Sequence, residues 1–297
     1  MRTADFLKVV LAAVLWGGGG VVGVALSRHS DIPPMSVAMW RMLVGGLSLV
    51  LFLWWRGGLR PGTLHAQAWR RIILTGALTA AFEALYFGAL SLSSVGLATL
   101  IGIGSAPLFS VILGWVFRGE RPSRAATLAL GLAFAGLSLL LAGSFDLGSN
   151  GLWGGVLAVG NGATFAALTA VNRTAVVGLG PIPLTAYSFT LGGVLLVPVA
   201  AVGGLAAASD ATGWGLIVVL GVAITAVAYV AYLGGLSTVP PFVATMVALL
   251  EPLVAALLGA ILLAERIGLW GIVGAACLGA AVLLLRPRGE QPQVATT

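Results

Sequence analysis

The sequence predicts an all-α integral membrane protein of ten transmembrane helices arranged as two inverted five-helix repeats. Three observations carry that expectation. First, 59% hydrophobic residues, 8% charged residues and a mean hydropathy of +1.08 over 297 residues leave more apolar surface than a water-soluble domain can bury. Second, apolar windows of about 20 residues, the length that crosses a hydrocarbon core of about 30 Å, tile the chain from end to end. Third, a proline followed after twelve residues by Glu-Arg occurs twice, as Pro107 to Glu120-Arg121 and as Pro252 to Glu265-Arg266, each time in an apolar stretch that ends in a charged turn.

The windows of the first half fall at 6–26, 34–55, 70–90, 94–117 and 123–143. Helix 1 follows a basic start and contains Gly17 to Gly20; with Val21 to Leu26 after them, the run is too long for a signal-peptide core. Helix 2 ends at the Gly/Pro/Arg-rich loop Arg56 to Gly62, helix 3 carries Glu83 and Tyr86, and helix 4 has Pro107 midway. Helix 5 stops before the polar loop Ser144 to Asn150. The second half has windows at 151–173, 183–206, 212–236, 240–263 and 267–286, with Asn161 and Phe165 in the first, Tyr229 and Tyr232 in the third, and Glu251-Pro252 in the fourth. No connection is long enough for a soluble domain, so function is expected within and between the helices.

Charge orients the chain. With a cytoplasmic amino terminus, Arg2, Lys8, Arg56, Arg60, Arg70, Arg71, Arg118, Arg121, Arg124, Arg173, Arg286 and Arg288 fall on the cytoplasmic side, and Arg28, Arg41 and Arg266 on the other. This positive-inside bias predicts both termini in the cytoplasm. It also accounts for a pI near 10.4 without a nucleic-acid partner.

Aligning Pro107 with Pro252 also aligns Glu120-Arg121 with Glu265-Arg266, and with one residue of slip Ala89-Leu90-Ser91 meets Gly235-Leu236-Ser237. The expected halves are residues 1–146 and 147–290, with 291–297 as a short tail. Because five helices per half is odd, the second copy enters the membrane upside down, a construction used by secondary transporters.

The ten-helix pattern, Trp16-Gly17 in helix 1, the paired Pro-x12-Glu-Arg elements and Glu251-Pro252 resemble the EamA type of the drug/metabolite transporter superfamily over essentially the whole chain. Phe82-Glu83 followed by Ala89-Leu90-Ser91-Leu92 is similar to the bacterial exporters of aromatic and other neutral amino acids. The resemblance implies a small-molecule exporter of the bacterial inner membrane that works by alternating access.

The residues themselves point to a pathway. Glu83 and Tyr86 lie three apart, hence on one helix face, with Tyr229 and Tyr232 at the equivalent places of the second half. Trp16, Asn161, Phe165 and Ser105 beside Pro107 complete the expected pathway, with Glu251. Trp54, Trp55, Trp69, Trp153, Trp214 and Trp270 lie near span ends, where an interfacial belt explains them; Trp16 is least explained that way. A charged carboxylate in hydrocarbon costs about 3 kcal/mol or more, so Glu83 and Glu251 are functional candidates. No Lys or Arg is expected at their depth, Arg41 being placed near the outer end of helix 2. A hydrogen bond that repairs the backbone gap at Pro252 is the plainer role for Glu251. Pro107 and Pro252, each able to kink a helix, are expected to act as hinges.

No cofactor, metal or catalytic group is expected. Cys277 stands alone, His29 and His65 sit in loops, and Gly102-Ile103-Gly104 has no strand before it to make a phosphate loop. The absence of deep Lys or Arg argues against phosphorylated substrates. An interior of aromatic, amide, hydroxyl and carboxyl groups suits a small amphipathic solute, either a neutral or aromatic amino acid or an organic cation held by cation-π contacts. Membrane lipid is the other expected partner. Proton coupling through the two carboxyls and facilitated efflux are both open.

Overall fold

The computed structural model describes residues 1–58, 61–141, 151–262 and 268–287. Glu265-Arg266, the loop 142–150 and the tail from 288 lie outside these residues. Among those described, the chain is helical apart from turns and one isolated bridge between Val176 and Leu179.

The helices are α1 (Thr3–His29), α2 (Pro34–Trp55), α3 (Ala66–Leu92), α4 (Val95–Arg118), α5 (Arg124–Leu140), α6 (Gly151–Asn172) and α7 (Pro181–Val202). They continue with α8 (Ala211–Gly235), α9 (Pro241–Leu262) and α10 (Leu269–Leu284). Eight are long and apolar enough to cross a membrane; α5 and α10, at 17 and 16 residues, are shorter. Local chemistry sets their starts. Pro34, Pro181 and Pro241 open α2, α7 and α9, where a missing N–H is harmless. The Ser94, Ser123 and Asp210 side chains accept from the amides of Leu97, Ala126 and Gly213 at α4, α5 and α8.

Two helices depart from regularity in ways that matter for the interior. In α8 the stretch Leu220–Val227 is a π-helix, and the Thr225 hydroxyl donates to the carbonyl of Leu220, five residues back, at 2.9 Å. In α9 the helix breaks at Leu249 between Pro241–Ala248 and Leu250–Leu262. Pro252 causes this, because it has no N–H for the carbonyl of Ala248 and its ring crowds that carbonyl. At Pro107, by contrast, α4 runs on without interruption.

Helix association in lipid rests on close packing and interhelical hydrogen bonds, and both are present. Helix α2 packs along α7 and α5 along α10. A Cβ at Gly46 would meet Thr190 and one at Gly193 would meet Leu43, so α2 and α7 run antiparallel. Helices α5 and α10 cross antiparallel at Gly136 and Gly274, where an added Cβ on Gly136 would lie 2.8 Å from the Gly274 carbonyl oxygen. The remaining large contacts are α3 with α6 and α7, α4 with α6, α8 with α1 and α2, and α9 with α1. Exchanging the first five helices for the last five leaves this set of neighbours unchanged. Thr75 donates to Asn172 at 3.1 Å and Thr245 to Ser110 at 3.2 Å, joining α3 to α6 and α9 to α4. Outward-facing side chains are apolar, with Trp54, Trp55, Trp153 and Trp270 exposed near helix ends.

Candidate functional site

A cavity of about 490 Å³ enters the bundle at the end where α1 finishes and α2 begins, between Ser27, Ser30, Ile32 and Pro34, and ends near mid-bundle on Trp16, Arg41, Phe165, Tyr229 and Glu251. Gly19, Gly20 and Gly23 of α1 form one wall without side chains, and Phe82, Tyr86, Phe87 and Leu90 of α3 form another. The π stretch of α8 and the break in α9 bring Leu220, Ile224 and Ala248 to its edge.

The inner end is an aromatic cage. The Trp16 ring is 4.9 Å from Tyr229, 5.1 Å from Tyr232 and 6.0 Å from Phe165, while Phe165 stacks on Tyr232 at 5.6 Å and lies 5.4 Å from Phe82. Phe189 backs Tyr229 at 4.5 Å. Ring pairs of this kind contribute about 1 kcal/mol each beyond their buried area, so five helices hold the cage before any ligand arrives. Trp16 is only 8% exposed and its indole N–H has no hydrogen-bond partner.

One sequence expectation is corrected here. Arg41 reaches inward from α2, and its Nη2 donates to Oε1 of Glu83 while Nη1 is 3.4 Å from the Thr225 hydroxyl. A cation therefore lies at the depth of Glu83. Arg41 starts eight residues into α2, but its long side chain covers the remaining distance, and the cavity opens at that same end of the bundle. Glu83 is 1% exposed and its Oε2 has no donor. Glu251 lines the cavity within electrostatic range of Arg41 and Glu83. Among the described residues its side chain has no hydrogen bond or ion pair, so no bond from it repairs the backbone at Pro252.

The other expected pathway residues separate by location. Trp16, Tyr86, Phe165, Tyr229 and Glu251 line the cavity. Tyr86 also hydrogen-bonds Thr99 at 3.2 Å. Tyr232 belongs to the cage but not to the cavity wall, and is fully buried, 2.8 Å from the Thr169 hydroxyl. Asn161 is buried and donates to the Phe82 carbonyl at 2.8 Å, fastening α6 to α3. Ser105 lies against Gly162 in the α4–α6 contact, its hydroxyl donating to the Gly102 carbonyl at 3.3 Å. Pro107 and Pro252 are both buried outside the cavity wall.

Beyond the cage, toward the amino-terminal end, the bundle is solid. Phe6, Val9, Ala12 and Ala13 of α1 are buried with Leu168, Leu236, Val239 and Ala244. Asp5 is buried there too. It accepts from Lys8 at 2.8 Å, Thr238 at 2.9 Å and Ser237 at 3.2 Å, while the Arg2 amide donates to Thr238 at 3.0 Å. These bonds tie the start of α1 to the turn between α8 and α9. At the opposite end His29 and Asp210 join α1 to α8 at 2.8 Å. Gly213 and His29 hold the Asp210 carboxyl below the ordinary aspartate value, the Gly213 amide contributing most.

The EamA-like transporter family model matches residues 5–142 and again 152–286. The chain belongs to the EamA-like transporter family. It is 30% identical to the uncharacterized transporter YwfM of Bacillus subtilis (strain 168), over 96% of this chain and 95% of that one. It is 29% identical to an uncharacterized transporter of Archaeoglobus fulgidus, over 93% and 94%. It is 26% identical to the uncharacterized inner membrane transporter YicL of Salmonella typhimurium, over 94% of each chain. A solved crystal structure at 16% identity shares the fold with a TM-score of 0.82, covering 96% of this chain and 97% of that one. This EamA-family protein is thus a multi-pass membrane transporter.

Proposed function

We propose that this EamA-family transporter exports neutral amino acids, aromatic ones foremost, and related small metabolites across the bacterial inner membrane by alternating access. The observation that carries this reading is a one-sided cavity that ends on a preformed aromatic cage and is sealed beyond it. Its volume of about 490 Å³ lies in the range of small-molecule sites, about 300–1,000 Å³. The cage suits an apolar side chain, and Glu251 offers charge to the polar end of a solute.

In this reading the protein has ten spans as two inverted repeats, 1–146 and 147–290, with both termini cytoplasmic. Two matches of one family model, the antiparallel pairing of α2 with α7 and of α5 with α10, and neighbours that survive exchange of the halves all support it. The cavity then faces the outside, and the Asp5 bonds close the cytoplasmic end. Pro252, at the break in α9, is the better placed of the two hinge candidates.

A second reading, export of organic cations, is favoured by the unpartnered carboxyl of Glu251. Purified protein in sealed liposomes, tested with labelled amino acids, organic cations and nucleotide sugars, separates the two. Saturable movement of phenylalanine or tyrosine is expected; movement of nucleotide sugars alone, or of nothing, would overturn both. The carboxyls give proton coupling a chemical basis, although a tenfold outward gradient alone supplies about 1.4 kcal/mol. An imposed pH gradient that changes the rate in wild type but not in Glu251→Gln supports coupling.

A further inference from the structure

Charge at the inner end of the cavity is unbalanced. Arg41 is joined to Glu83, which is buried on α3 and does not line the cavity. That pair leaves Glu251 as a second carboxyl, lining the cavity and bonded to nothing among the described residues. A carboxylate there lacks water on most sides, and the cation within its electrostatic range is already engaged. The aromatic faces of Trp16 and Tyr229 line the same end, and π faces attract a cation when it is desolvated. The Trp16 N–H is a donor without an acceptor.

From this arrangement we infer that Glu251 is the counter-ion for an ammonium group on the ligand, so that a cationic nitrogen attached to an aromatic body is required and a ligand carboxylate is dispensable. The inference rests on the cavity being the substrate site, as the transport reading holds. An amino acid satisfies it through its ammonium group. A simple arylalkyl amine satisfies it equally, because the carboxylate partner a zwitterion would seek, Arg41, is held by Glu83 and Thr225. A neutral aromatic alcohol or an aromatic carboxylate fills the cage but leaves Glu251 without a counter-charge.

The test is calorimetric binding of phenethylamine, 2-phenylethanol and 3-phenylpropionate to the purified full chain, in wild type and in Glu251→Gln. An ammonium adds a positive charge that a hydroxyl lacks, so wild type should prefer the amine to the alcohol by about tenfold or more. Glu251→Gln should bring amine and alcohol to equal affinity. Unchanged alcohol binding shows that the variant's cage is intact, and Glu251→Asp should restore part of the preference. Equal affinities in wild type, a preference that survives Glu251→Gln, or no amine binding overturns the inference. Phenylalanine transport without amine preference would overturn it and leave the transport reading standing. Glu251-dependent amine binding with no transport of any aromatic solute would do the reverse.

Discussion

Replacing Arg41 with Met is the sharpest probe of the interior, because it removes a cation while keeping an unbranched chain of similar length. Glu83 is 1% exposed and Arg41 is its ion-pair partner, so the variant strands a buried carboxylate with Glu251 still nearby. Breaking one side of a buried pair costs about 3–5 kcal/mol. In a domain of 150–250 residues each kcal/mol shifts the midpoint by about 2–4 °C, so a loss of roughly 10 °C is expected. The double variant Arg41→Met with Glu83→Met removes both charges and should recover most of that loss, since an apolar pair of similar volume is often tolerated. Glu83→Met alone should fall between, because Arg41 can turn to Glu251. Thermal unfolding of all four proteins in one detergent, followed by tryptophan fluorescence, measures the cycle. Additive losses in the double variant, or an Arg41→Met protein as stable as wild type, would refute the pairing as the reason these residues occur together.

Three further outcomes follow from the same structure. Pro252→Ala restores an N–H opposite the Ala248 carbonyl and should close the break at Leu249; melting should rise by a few degrees, equivalent to about 1 kcal/mol, while the transport rate in liposomes falls. Gly274→Val places a Cβ 2.5 Å from the Gly136 carbonyl oxygen, so α5 and α10 must separate; loss of monodisperse protein on size exclusion is expected, with Gly279→Val, whose Cβ meets nothing within 4 Å, as the tolerated control. Asp210 has a folded value lowered from 3.8 by the Gly213 amide and by His29, so its contribution is full above the ordinary aspartate value and is lost as pH falls through the lowered one. Melting curves of wild type and Asp210→Asn should therefore differ at neutral pH and converge in strong acid.

Most helix positions were legible because hydropathy and length act locally: the window at 34–55 is α2 to the residue, and 151–173 differs from α6 by one. A break at Pro252 was legible from its missing backbone donor, but the same mark at Pro107 leaves α4 uninterrupted. The π stretch of α8 was not. It lies where Gly221 packs against Val44 and the Arg41 carbonyl, a tertiary contact with no mark in local composition. Arg41 itself was misread because depth was judged from its place along α2, without the reach of the side chain or the end at which the cavity opens. Asn161 and Phe165 were both expected in the pathway, but sequence position could not say that Phe165 enters the cage while Asn161 donates to a carbonyl of α3. Nothing in the local sequence singles out Asp5, which is buried against the turn carrying Ser237 and Thr238.

In the proposed transport cycle this cavity is one of two alternating openings to a single substrate site. Distances between spin labels test it most directly, with one pair on Ser27 and Ser91 across the mouth and another on Thr3 and Val177 at the amino-terminal end. On adding phenylalanine to protein in liposomes, the mouth pair should shorten in part of the population while the amino-terminal pair lengthens in the same fraction. Both distances unchanged under saturating ligand, or both ends moving in the same direction, would contradict it.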